Sequence, residues 1–147
     1  MTLVVQVATE AGRLPLARER VADIARAVLR SEGVRDALLS IAFVSPRDIA
    51  RINQRHLGHR GSTDVISFQL TRGRSEPVIG DIYIAPAVAR DNARSHRVGV
   101  REELARLVVH GTLHVVGHDH PEGTGRTASP MWKRQEALVR RALRKRT

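Results

Sequence analysis

Residues 101–120 read R-E-E-L-A-R-L-V-V-H-G-T-L-H-V-V-G-H-D-H. Leu104, Leu107, Val108, Gly111 and Val115 recur with the period of a helix, which predicts an amphipathic helix over 101–116 stopped by Gly117. His110 and His114 are four apart, so their imidazoles share one helix face within reach of a single ion. A glycine at the helix end permits a sharp turn, and that turn brings His120 back toward the same point. The spacing H-x-x-x-H-x-x-G-x-x-H therefore predicts one Zn²⁺ on His110, His114 and His120, with a fourth position open as in catalytic centres. His118 is also four from His114 and competes for the third place if the helix runs on, but Gly117 favours His120. A histidine-rich tract that only caps the helix is the alternative. Such three-imidazole sites accept Ni²⁺ and Cu²⁺ as well. By helical angle the pair lies beside Leu107 at the edge of the apolar stripe, which predicts a partly dry cleft at the rim of the core.

Working outward, 2–7 is β-branched and reads as a strand, and 16–31 carries Val21, Ile24, Ala25, Val28 and Leu29 at helical spacing before Gly33. A buried strand is predicted over 38–44, then a short helix from Pro46 to about Arg55 ended by Gly58. Strands over 64–70 and 79–84 flank a polar stretch containing Gly73 and Pro77, so they form an antiparallel hairpin. The earlier strand-helix-strand order favours parallel pairing, and the sheet is expected to be mixed. Helices over 86–96 and from Ser129-Pro130 onward complete an α+β fold: a small four-stranded mixed sheet packed on about five helices.

The chain has 147 residues, a formal charge of +10 and no cysteine. That length fits one domain over 1–147 with a core that needs no covalent staple. Lack of cysteine excludes disulfide frameworks, iron–sulfur clusters and thiol nucleophiles, and leaves any metal to His, Asp or Glu. No apolar run approaches bilayer length, and residues 1–13 lack the order of a secretory signal, so a cytoplasmic protein without a membrane partner is expected. All but Lys133 and Lys145 of the 25 basic residues are Arg, a surface that attracts polyanions. With Phe43, Phe68, Tyr83 and Trp132 as the aromatic residues, contacts to phosphate are expected over reading of bases. The basic run 140–146 is either a phosphate-contacting tail or a solvated helix end.

The histidine spacing is shared with metzincin peptidases, whose H-E-x-x-H places a general base after the first ligand. Gly111 stands there, so hydrolysis of something other than peptide is expected. Asp119, flanked by two histidines, is the candidate for orienting an imidazole or handling a proton. Met131 stands where metzincins place a Met-turn, and also fits a plain core position.

The run H-G-T-L-H-V-V-G-H-D-H resembles the signature of the YbeY family of bacterial metal-dependent endoribonucleases. Thr63-Asp64-Val65-Ile66-Ser67-Phe68 and Gly80-Asp81-Ile82 resemble two of its strands, and Asn53 falls at an earlier family Asn. The resemblance, over roughly 52–136, implies a zinc-dependent endoribonuclease acting on single-stranded RNA. It also implies a place in small-subunit ribosomal RNA maturation and ribosome quality control, with ribosome-associated partners. Leu57 stands where many members carry an RNA-engaging Arg, and Arg55 or Arg60 flanks the gap. Arg60 is the candidate for offsetting charge on the phosphate. Two other classes stay open: a metallopeptidase-like hydrolase, and a non-catalytic ribosome-binding factor with a structural metal.

Overall fold

The computed structural model describes residues 2–58, 61, 63–72, 75–119 and 129–144. In chain order the elements are β1 (Leu3–Thr9), α1 (Arg18–Ser31), β2 (Ala37–Phe43), α2 (Pro46–Ile52), a π-helical turn (Asn53–Leu57), β3 (Val65–Gln69), β4 (Val78–Ile84), α3 (Pro86–His96), α4 (Val100–Val116) and α5 (Pro130–Arg144). The sheet runs β1-β2-β4-β3. β1, β2 and β4 are parallel, and β3 returns antiparallel to β4, which is the mixed α+β arrangement expected.

Local chemistry sets the element ends. The Ser45 hydroxyl accepts from the Asp48 amide at 3.1 Å ahead of Pro46, and Ser129 accepts from the Trp132 amide at 3.1 Å ahead of Pro130. Both are side-chain N-caps followed by proline in the first helical turn. Gly58 (φ 69°) and Gly117 (φ 115°) close their helices in the left-handed conformation that glycine adopts without strain. The one departure in type is the π-turn after α2, where an α-helix to about Arg55 was expected. Asn53 is buried there, and its side-chain amide donates to the Gly61 carbonyl at 3.1 Å, tying the turn to the loop before β3.

Leu39, Ile41 and Phe43 of β2 and Val78, Ile82 and Ile84 of β4 are buried at alternate positions. α1 packs on β1, and α4 packs on β3 and β4. α1, α3 and α5 then surround α4. Consequently α4 is buried nearly all round, from Glu103 to Val116, instead of along one stripe. The close fit needs two glycines. A Cβ on Gly80 would stand 2.4 Å from Val115 Cγ1, and one on Gly111 would stand 2.8 Å from Ile82 Cγ2. A smaller cluster, Val44, Ile49, Ile66 and Ala85, joins α2 to the sheet. Among the described residues no helix is long and apolar enough to cross a membrane.

Candidate functional site

α4 delivers His110 and His114 from successive turns, with ring centroids 4.6 Å apart at an interplanar angle of 72°. His110 is 8% exposed at the edge of the core beside Leu107, the rim position expected, and His114 is half-buried. The spacing of the two rings fits a pair of nitrogen donors to one ion. His120 and Arg60 lie outside the described residues. Among the described residues no three carboxylate or imidazole side chains converge in a cluster able to hold a metal.

His118 is engaged elsewhere. Its Nε2 is 2.5 Å from Glu32 Oε1, and Arg134 Nε donates to Glu32 Oε2 at 2.8 Å. Burial opposes ionisation of Glu32, but hydrogen bonds from His118 and Arg134 outweigh it and hold the carboxyl below its ordinary range. Asp119 is exposed just beyond Gly117. Arg55 and Leu57 are exposed on the π-turn, and His56 meets Phe68 edge-on at 5.6 Å. Met131 is buried in the core cluster, the plain packing role foreseen as one alternative.

Gly111 is placed differently from the peptidase comparison. Its Cα faces Ile82 of β4, so a side chain here points into the core and not toward the imidazole pair. The residue is a close-approach glycine between helix and sheet. A glutamate at 111 would bury a charge against Ile82 and disrupt the packing of α4 on β4.

His110 also borders an open cleft of about 600 Å³. Its walls include Asp64, Glu103, Arg106, Trp132, Gln135 and Glu136. Arg106 binds Glu136 through Nε at 2.9 Å and Nη2 at 3.0 Å, and reaches Glu102 at 3.0 Å and Glu103 at 3.3 Å. Facing three carboxylates, this guanidinium is committed within the protein. Burial raises the Glu103 carboxyl above its ordinary value despite Arg106, whereas at Glu136 the hydrogen bonds from Arg106 and Gln135 outweigh burial and lower it. Asp64, the aspartate of the T-D motif, accepts from the Asn92 amide at 3.0 Å.

The residue that sequence reasoning missed is Gln135. Its Oε1 lies 2.6 Å from His110 Nδ1, and its Nε2 donates to Glu136 at 3.0 Å. A signal was present: Gln135 interrupts the apolar stripe Met131, Leu138 and Ala142 of α5, and a polar residue on such a stripe requires a buried partner.

A family model described as Endoribonuclease YbeY matches residues 6–142. The chain is similar to proteins of that name from Bacillus licheniformis, 34% identical over 96% of this chain and 96% of the relative, and from an Anaeromyxobacter species, 37% identical over 97% and 77%. A solution structure of a Thermotoga maritima protein superposes with a TM-score of 0.64 at 26% identity, covering 95% of this chain and 89% of that one. The histidine pair and both strand motifs fall inside the matched span, and the chain belongs to the endoribonuclease YbeY family.

Proposed function

We propose that this chain is a single-domain, metal-dependent endoribonuclease that holds one Zn²⁺ on His110, His114 and His120 and cleaves single-stranded RNA. The observation that carries the reading is the histidine pair of α4, rings 4.6 Å apart, in a chain of this family, with His110 of the pair bordering a cleft of about 600 Å³. The finer reading, maturation and quality control of the small ribosomal subunit in the cytoplasm, rests on the family resemblance and on the charge of +10.

The donor set fits the ion. Two imidazoles on successive turns supply nitrogen ligands, and neutral ligands leave the ion its full charge. When bound, such an ion supplies Lewis-acid chemistry that offsets negative charge on a phosphoryl oxygen. The protein's own groups do the rest. Asp119 orients or accepts the proton of the attacking hydroxyl, from water or the ribose 2′ position. Arg60 presents two parallel donors to the phosphate, a role closed to Arg106 by its three carboxylates. Trp132 on the cleft wall offers a face on which an unpaired base stacks. His118, tied to Glu32, is left out of the ligand set.

The test measures zinc per chain and cleavage of single-stranded ribosomal RNA side by side. His114→Ala should lose both metal and cleavage, while His118→Ala should keep stoichiometric metal. Loss of zinc on removal of His118 would overturn the ligand set. RNA cleavage that persists without zinc, or robust peptide cleavage, would overturn the activity.

A further inference from the structure

Each end of the Gln135 side chain meets a group of fixed chemistry. Glu136 takes two hydrogen bonds from Arg106, at 2.9 and 3.0 Å, so its carboxylate is an acceptor. The end of Gln135 that faces Glu136 at 3.0 Å must then be the amide NH₂, and the opposite end is the carbonyl oxygen. That oxygen lies 2.6 Å from His110 Nδ1 and can only accept. A neutral His110 must therefore carry its proton on Nδ1, which leaves the lone pair on Nε2. Free imidazole side chains favour the reverse arrangement by a small margin, so the protein sets this one.

We infer that Gln135 is a positioning residue for the metal site: through the chain Arg106–Glu136–Gln135–His110 it fixes the His110 tautomer and ring plane so that Nε2 is presented as a ligand. The inference rests on the proposed metal site but concerns residues outside its ligand set. Gln135 is 2% exposed and His110 8%, so bulk water does not substitute for the contact. The arrangement also puts the two halves of the site on different helices. α4 carries the ligand and α5 carries the group that orients it, with Arg106 of α4 reaching back to Glu136 of α5. Partners of this kind typically change metal affinity about 10- to 100-fold when removed, because the ring must then be ordered at the moment of binding.

The experiment reads the tautomer and the affinity separately. Long-range ¹H–¹⁵N spectra of the metal-free protein should show His110 protonated at Nδ1. In Gln135→Leu that signature should give way to Nε2 protonation, and Zn²⁺ affinity, measured by competition with a chromophoric chelator, should fall about 10- to 100-fold. Gln135→Glu keeps an acceptor toward His110 and should keep the tautomer, although its second oxygen now meets the Glu136 carboxylate where the amide NH₂ donated. If Gln135→Leu does not fold, the wild-type spectrum still decides, since Nε2 protonation there overturns the inference. So does equal Zn²⁺ affinity with and without Gln135. An Nδ1-protonated wild type that takes up no Zn²⁺ overturns the proposed metal site instead.

Discussion

At Gly80 the single missing methyl group is what allows the central helix to lie against the sheet. A Cβ there would meet Val115 at 2.4 and 2.7 Å and the Phe68 carbonyl oxygen at 2.9 Å, and the carbonyl belongs to a paired strand that cannot move aside. Gly80→Ala should cost about 1–3 kcal/mol by urea denaturation, and Val115→Ala should recover part of that loss. A variant as stable as the parent would disprove the close-approach account. The close approach at Gly80 and Gly111 is not legible in the sequence, because it depends on which side chains pack against them across the fold. The peptidase motif puts the position of Gly111 beside the ion, but a linear motif does not say which way the position after a ligand faces. Its direction depends on which neighbour packs there, and the neighbour is Ile82, far away in sequence. Gln135 shows the converse. Its place on the apolar stripe of α5 is a local signal that went unread, and its partner 25 residues earlier is set by the α4–α5 packing.

Elements proved more legible than contacts, because helix and strand periods and proline-bearing caps are local signals. Pro46 and the Ser129-Pro130 pair marked two helix starts without any tertiary knowledge, and the Ser45 cap ahead of Pro46 came from the structure. The π-turn at Asn53–Leu57 escaped, since its geometry is tied to the reach of the Asn53 amide to Gly61. At the far end of α4 a clip joins three elements: Glu32 after α1 holds His118 at 2.5 Å and Arg134 of α5 at 2.8 Å, and Arg134 also meets Ser31. The Glu32 side chain is 5% exposed. Its carboxyl is lowered from an ordinary value of 4.5, so the native state binds its proton less readily than the unfolded chain does. This contribution is complete above pH 4.5 and is lost as pH falls through the lower native value. Glu32→Gln should thus cost about 1–3 kcal/mol near neutral pH, with the gap to the parent narrowing in acid. Urea midpoints measured from pH 7 down to about 3 decide it, and a gap that widens in acid would refute the clip.

Over the whole molecule the dominant quantity is charge. The formal value of +10 was legible from composition alone, and α5 ends with Arg140, Arg141 and Arg144 exposed. Removing 144–147 deletes three cations and should flatten the dependence of log RNA affinity on log salt by about two units, at about 0.7 per released counterion on single strands. An unchanged slope would leave the tail as an ordinary solvated helix end. The fold also determines how damage would spread. α4 is enclosed by sheet and by three helices and behaves as a rod, so a core substitution that shifts it carries His110 and His114 together. Their mutual separation then survives, while their alignment with Gln135 on the neighbouring helix does not. The site is therefore a vernier between two rods: sensitive to the sliding of α4 past α5, and blind to movement that carries both.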